Sequence, residues 1–359
     1  MRVGIVTFHC SYNFGSALQA YALQRTIKSL GHEVAIVDYR GRDFRQYRLF
    51  GLARPRRMAA MAFNLRRNAE RKQSFEGFWE SFFNMTATYT EKNKSNLNEL
   101  ADDFGCFVCG SDQIWNLDCT RGPVGPYFLD FAGGRRRVAY APSLAHEFFK
   151  EENFPKDVVR EHLEKFDAVS VREEGTVGVY QPLCRRKIEV VLDPTLLLDP
   201  AEWDALLPAK PVEEGPYVFL YMLERSPILL ESARALVKNS GCRVVYVAEH
   251  NLKIDGAVNR YGCGPSEFLD LVKGSCAVLT NSFHATVFSI LFNVPFHTFS
   301  TEKSSARMYD LLGKLGLLSC LKDSIDGAMP KSTDASDAMA RLIEMRKDSL
   351  AFLSKAIEG

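Results

Sequence analysis

The chain has 359 residues, 46% of them hydrophobic and 25% charged, enough to bury a sizeable core and, by length, to form two or three domains. Its 45 basic and 44 acidic residues nearly cancel, so bulk charge selects no polyanionic partner, and no low-complexity tract marks a disordered scaffold. No apolar run is long enough to span a bilayer, the first residues lack a secretion signal's long apolar stretch, and nine scattered cysteines suit a reducing, cytoplasmic setting.

Residues 3–8 read as a first strand, and residues 15–30 as a helix with Ala20, Leu23, Ile27 and Leu30 on one face, closed by Gly31. A strand at 33–38 follows. Residues 41–95 read as a helical insertion, basic at first and then aromatic. Within it, residues 41–75 hold ten Arg or Lys against Asp43 and Glu70. Strands recur at 104–109, 137–141, 168–171 and 188–192. A Pro-rich stretch at 208–216 reads as a linker. A second series of strands follows at 217–222, 243–248, 277–280 and 296–299, and a final amphipathic helix spans 333–357. Short strands alternating with helices predict α/β architecture with parallel sheets. The expected layout is two Rossmann-like domains, 1–207 and 216–330, facing a cleft, with 331–359 packing back on the first.

Ligands of open parallel sheets bind beyond the carboxyl ends of strands, so the motifs that follow strands carry the chemistry. Asn13, Gly15 and Ser16 stand between the first strand and helix, where exposed N–H groups suit an anion or a sugar hydroxyl, or simply cap the helix. The turn is not a GxGxxG and lacks a phosphate-loop Lys. Ser111, Asp112, Gln113 and Trp115 follow another strand, a grouping that suits a sugar's hydroxyls and apolar face or a cap with a packed Trp. Arg172 ends a strand, where it can grip a phosphate or carboxylate or pair with Glu173 or Glu174. Asn281, Ser282 and His284 open a helix after the strand at 277–280, and His284 there can be a general acid, an anion ligand or a satisfied core histidine. Lys303 and Arg307 offer further cations or plain surface. Cys106 and Cys109 form a lone CxxC with no second pair to complete a zinc site, and no metal is expected.

Several stretches, taken in order, resemble polysaccharide pyruvyl transferases. They are Val3-Gly4-Ile5-Val6-Thr7 with Asn13-Phe14-Gly15-Ser16-Ala17-Leu18-Gln19-Ala20-Tyr21, then Gly110-Ser111-Asp112-Gln113-Ile114-Trp115-Asn116. Ser170-Val171-Arg172-Glu173, Val191-Leu192-Asp193-Pro194-Thr195-Leu196-Leu197-Leu198 and Thr280-Asn281-Ser282-Phe283-His284-Ala285-Thr286-Val287 complete the set. The likeness runs over about residues 1–320. It implies a glycosyltransferase-B-like arrangement and transfer of a pyruvyl unit from phosphoenolpyruvate to sugar hydroxyls as a ketal. It further implies that His284 is the essential histidine, Arg172 the phosphoenolpyruvate-binding arginine and Lys303 a functional lysine. Phosphoenolpyruvate is then the donor, with no separate cofactor, and a sugar or lipid-linked glycan is the acceptor. Ala285 stands where the family often has Gly, and Gly15-Ser16 replaces a Gly-Asp. A nucleotide-sugar glycosyltransferase is the competing enzyme, and a non-catalytic glycan-binding protein the competing class. The basic segment 41–75 suits an anionic membrane face or a solvated flap, and nucleic acid is not expected, because no base-reading motif accompanies the charge.

Overall fold

The computed structural model describes residues 1–41, 65–144, 154–300, 305–331 and 336–359. The chain divides into two compact units. Unit 1 comprises Met1–Arg48, Trp79–Leu198 and Ile343–Gly359, and unit 2 comprises Leu49–Phe78 and Asp199–Leu342.

Unit 1 is built on eight strands: β1 (Arg2–Val6), β2 (Glu33–Ile36), β3 (Tyr39–Arg40), β4 (Tyr89–Thr90), β5 (Cys106–Cys109), β6 (Arg136–Ala139), β7 (Ala168–Val171) and β8 (Ile188–Val190). Six of them form one sheet in the order β2-β1-β5-β6-β7-β8, parallel throughout, while β3 and β4 make a separate parallel pair. Buried on both faces, the sheet's strands read as apolar runs rather than alternating ones. Gly4 allows β1 to lie against β5, since a Cβ there would sit 2.7 Å from the Phe107 ring. Helix α1 (Phe14–Ser29) leaves the carboxyl end of β1, capped by the Asn13 side chain, which accepts from the Ser16 N–H. The chain order reverses between β1 and β5, so the loops after these two strands diverge and leave a crevice at the carboxyl edge.

Helix α2 (Leu65–Phe82) departs from the expected insertion in the first domain: its residues through Phe78 belong to unit 2. The reason is Arg71, a buried guanidinium whose Nη1 donates to the carbonyls of Tyr261 at 3.1 Å and Cys263 at 3.3 Å, and which lies over the rings of Phe75 and Tyr261. An Arg tied down in this way is withdrawn from any lipid-facing stripe. Arg66 pairs with Glu70, and Lys72 with Glu76, on the same helix. Residues 42–64 of the basic segment lie outside the described residues.

The unit boundary falls after Leu198 rather than in the Pro-rich stretch at 208–216. Trp203, fully buried, packs edge-on against Phe288 at 4.8 Å and draws the preceding residues into unit 2. That unit holds β9 (Val218–Tyr221), β10 (Val244–Tyr246), β11 (Val258–Asn259), β12 (Ala277–Thr280), β13 (Phe296–Phe299) and β14 (Leu321–Lys322) in one parallel sheet of order β11-β10-β9-β12-β13-β14. The reversal here lies between β9 and β12. Helix α3 (Phe283–Leu291) follows β12, and α4 (Ser305–Leu315) follows β13. The C-terminal helix α5 (Ser336–Glu358) begins in unit 2 and ends in unit 1. In unit 1 Arg346 donates to the carbonyls of Leu196 and Leu198, and Ser349 accepts from the Leu192 N–H. Among the described residues, no helix is long and apolar enough to cross a membrane.

Candidate active site

Asn13, Gly15, Ser16, Ser111, Asp112, Gln113 and Trp115 follow β1 and β5 at the switch point of unit 1, and Asn281, Ser282 and His284 follow β12 at that of unit 2, whereas Arg172 follows β7 and Arg307 lies on α4 after β13. In unit 1 they join one hydrogen-bonded network. Ser16 donates to Asp112 Oδ2 at 2.6 Å, which ties the first turn of α1 to the loop after β5. Gln19 donates to Thr7 Oγ1, and Thr7 in turn donates to the Ser111 carbonyl. Ser111 donates to the Ala141 carbonyl at 2.7 Å and lies 3.3 Å from Asp193 Oδ2. Gly110, at φ +112°, makes the turn, and a Cβ there would strike the Tyr140 carbonyl at 2.0 Å. Asn13 and Gln113 keep partial exposure, whereas Gly15, Ser16, Ser111 and Asp112 are buried.

Two readings of this edge require correction. Trp115 is no sugar platform: it is fully buried, stacked on Phe128 at 5.3 Å, with its indole N–H donating to the Tyr127 carbonyl. Arg172 is not an open anion grip. Its Nε donates to Glu173 Oε1 at 2.9 Å and its Nη1 to Asp193 Oδ2 at 2.5 Å, with all three side chains buried. Burial disfavours the charged guanidinium, but Glu173, Asp193 and Asp112 outweigh it and hold its pKa above the usual value. Glu173 also accepts from Ser143 and Thr176, and Asp193 from Thr195. The guanidinium and its partners are thus an interior ion triad.

Sequence reasoning missed a second buried pair at the same edge. His9 Nδ1 lies 3.0 Å from the Thr7 carbonyl, and its Nε2 lies 2.9 Å from Asp38 Oδ1. A carbonyl and a carboxylate only accept, so both ring nitrogens carry protons and His9 is an imidazolium. Asp38 stays ionised because Arg40 donates to both of its oxygens and Thr88 to Oδ2. Burial alone would lower the His9 pKa; the Cys10 sulfur and the Asp38 hydrogen bond reverse that and push it up to about 10. His9, Cys10 and Asp38 have the donor atoms of a metal site within 4.8 Å of one another. With both nitrogens already donating, however, the imidazole has no lone pair to give a metal. The signal was available: β1 and β2 are parallel neighbours, so residues shortly past their ends lie side by side.

In unit 2 the polar edge is neutral in its hydroxyls and amide. Thr280 donates to the Tyr221 carbonyl. Asn281 accepts from the Leu223 N–H at 2.8 Å and donates to the Glu224 carbonyl at 2.6 Å, so its amide ties the loop after β9 to the start of α3. Ser282 caps α3 by accepting from the Ala285 N–H. Thr286 reaches back to the Ser282 carbonyl and across to Thr298. These roles make Asn281 and Ser282 positioning residues for what stands on the helix. His284 occupies the first turn of α3 and is 9% exposed, so it is buried rather than standing at an open helix start. Arg307, on α4, is also buried and lies over the Phe283 ring at 5.7 Å. Lys303 lies outside the described residues.

Charge separates the two edges. Among the described residues, the buried carboxylates Asp38, Asp112, Glu173 and Asp193 all follow strands of unit 1, whereas in unit 2 the buried Glu213 carboxylate precedes β9 and is paired with Arg243 and Arg260. The lone CxxC is inert: burial pushes the Cys106 thiol up to about 12 and the Cys109 thiol well above its usual value.

The model of the family described as polysaccharide pyruvyl transferase matches residues 13–303, from the α1 cap through both switch points. The chain belongs to the polysaccharide pyruvyl transferase family. No curated protein matches this family member. Its fold is shared with many solved structures, among them the three that follow. S. aureus MnaA bound to UDP matches with 12% identity and a TM-score of 0.51 over 99% of this chain and 90% of that one. An Arabidopsis thaliana structure with UDP-L-rhamnose, UGT89C1, matches with 11% identity and a TM-score of 0.51 over 98% and 94%. A Listeria monocytogenes protein assigned as a UDP-N-acetylglucosamine 2-epimerase matches with 10% identity and a TM-score of 0.52 over 99% and 90%. At such identities the likeness shows the fold alone. It places this pyruvyl transferase family member in the glycosyltransferase-B class of paired Rossmann-like units.

Proposed function

We propose that the protein transfers the pyruvyl unit of phosphoenolpyruvate to two hydroxyls of a glycan acceptor, forming a ketal. The observation that carries this reading is the charge division, within a chain of this family. A trianionic donor suits an edge where two buried side chains able to carry positive charge, the His284 imidazole and the Arg307 guanidinium, stand on the helices after β12 and β13. A neutral polyol suits an edge rich in acceptor oxygens.

In this reading His284 protonates the donor's methylene carbon, which makes C2 an oxocarbenium-like centre. A first sugar hydroxyl forms a bond to C2 and gives up its proton. The bond from C2 to the phosphate oxygen then breaks, and the second hydroxyl closes the ring with loss of its own proton. One hydroxyl proton ends on the new methyl group through the regenerated imidazole, and the other on the departing phosphate. Asp112, with Ser16 donating to it, is the acceptor for a sugar hydroxyl in unit 1. Arg307, with Lys303, neutralises the donor's phosphate and carboxylate. Arg172 holds the sheet edge in place through Glu173 and Asp193 rather than binding the donor.

The test is phosphate release from phosphoenolpyruvate with a panel of glycan acceptors, with the ketal methyl followed by NMR. Acceptor-dependent phosphate release with a matching ketal signal is expected. Nucleotide release from nucleotide sugars, with none of phosphate from phosphoenolpyruvate, would overturn the reading.

A further inference from the structure

We propose that a recess in unit 1, at the amino edge of the sheet and away from the switch-point residues, binds a carboxylate-bearing saccharide chain. The recess encloses about 450 Å³, within the range of about 300–1,000 Å³ typical of small-ligand sites. The last two turns of α1, the start of β2 and the end of α2 form it. Its walls are fixed before any ligand arrives. Gln24 donates to the Phe82 carbonyl at 2.8 Å and accepts from the Asn84 N–H at 2.8 Å, while Asn84 donates to the Val34 carbonyl at 2.6 Å. A preformed wall lowers the ordering cost of binding.

The surfaces offered are of two kinds. Tyr21 and Phe82, both half-buried, meet edge to face at 5.9 Å and present apolar ring surface of the sort that packs on a sugar's C–H face. Arg25 and Lys28, three residues apart on α1, lie on one side of the helix at the recess. The carboxylate lining the recess, Glu33, lies 3.2 Å from Arg2 and is thereby partly neutralised. Ring surface beside the Lys28 ammonium matches a sugar that carries an acid group. This rests on the ketal-transfer reading, whose product is a glycan bearing one carboxylate per transfer. A chain already modified would be retained here while another part is processed.

The experiment titrates the full-length protein with a trigalacturonate and with the neutral trigalactoside, by calorimetry. Phosphate release from phosphoenolpyruvate on a monosaccharide acceptor is measured in parallel. The charged trisaccharide is expected to bind about tenfold more tightly than the neutral one. Lys28→Glu, with Lys28→Ala as a milder companion, should abolish that preference, and Tyr21→Ala should weaken both ligands, with phosphate release unchanged. Equal affinity for the two trisaccharides, or a preference untouched by Lys28→Glu, overturns the proposal. Loss of phosphate release in the wild-type protein would instead sink the ketal-transfer reading, and the two failures are read in separate assays.

Discussion

The loops after β1 and β5 in unit 1 and the loop after β12 in unit 2 occupy equivalent positions in their sheets, yet their chemistry differs. In unit 1 the charges are spent on one another: Arg172 on Glu173 and Asp193, and His9 and Arg40 on Asp38. In unit 2 the hydroxyls and the Asn281 amide build the backbone frame at the start of α3, the helix whose first turn carries His284. Equivalent topology therefore yields a rigid charge-locked edge in one unit and a frame around an imidazole in the other. A charge locked into an internal pair does structural work.

The contrast breaks most readily at His284. His284→Gln keeps a polar side chain of similar reach, and ketal formation should fall by about 10²-fold to 10⁴-fold while the folded state survives. Steady-state phosphate release checks this, and a variant with wild-type turnover would return His284 to the core. Arg172 should show the opposite pattern, a stability effect first. Arg172→Met leaves Glu173 and Asp193 buried without their cation, and should cost about 3–5 kcal/mol in urea unfolding. Adding Glu173→Gln and Asp193→Asn should recover much of that loss. A single substitution that leaves unfolding unchanged would show that the triad is not the lock described.

Asn281→Ala removes the acceptor for the Leu223 N–H and the donor to the Glu224 carbonyl, and should cost about 1–3 kcal/mol. Exchange of the Leu223 amide with deuterated water should quicken in that variant, and unaltered exchange would remove the clamp. A pH dependence follows from His9. Its folded pKa, about 10, lies above the ordinary 6.5, so its contribution is complete below pH 6.5 and is lost as the pH rises through 10. Asp38 is held below its ordinary range, so its own contribution is lost only on acidification. The stability gap between wild type and His9→Gln should therefore narrow between pH 7 and 10. A gap constant over that range would mean the imidazole is not protonated in the folded protein.

Much of this architecture was legible from periodicity. Strands, the helices after them and the carboxyl-edge motifs are local patterns, and apolar runs flanked by Gly and polar turns specify them. What escaped were partners remote in sequence. Asp193 and Arg172 are separated by 21 residues, and His9 and Asp38 by 29, so nothing in either local stretch reveals the pairing. Trp115 was misread because an aromatic next to Asp and Gln looks alike whether its ring faces a ligand or Phe128. The allegiance of α2 was hidden for the same reason, since the carbonyls that hold Arg71 lie 190 residues away.

The chain passes from one unit to the other inside two helices, at 78/79 within α2 and at 342/343 within α5. Many multidomain proteins change units in a flexible connector, where recombination or a designed cut leaves both parts intact. Here a cut at either point severs a helical hydrogen-bond ladder. Recombination that exchanges one unit must then carry a compatible helix half with it, which favours divergence of the two units together over trade of either unit between relatives. Chimeras of family members should accordingly tolerate a junction at 198/199 far better than one at 78/79 or 342/343.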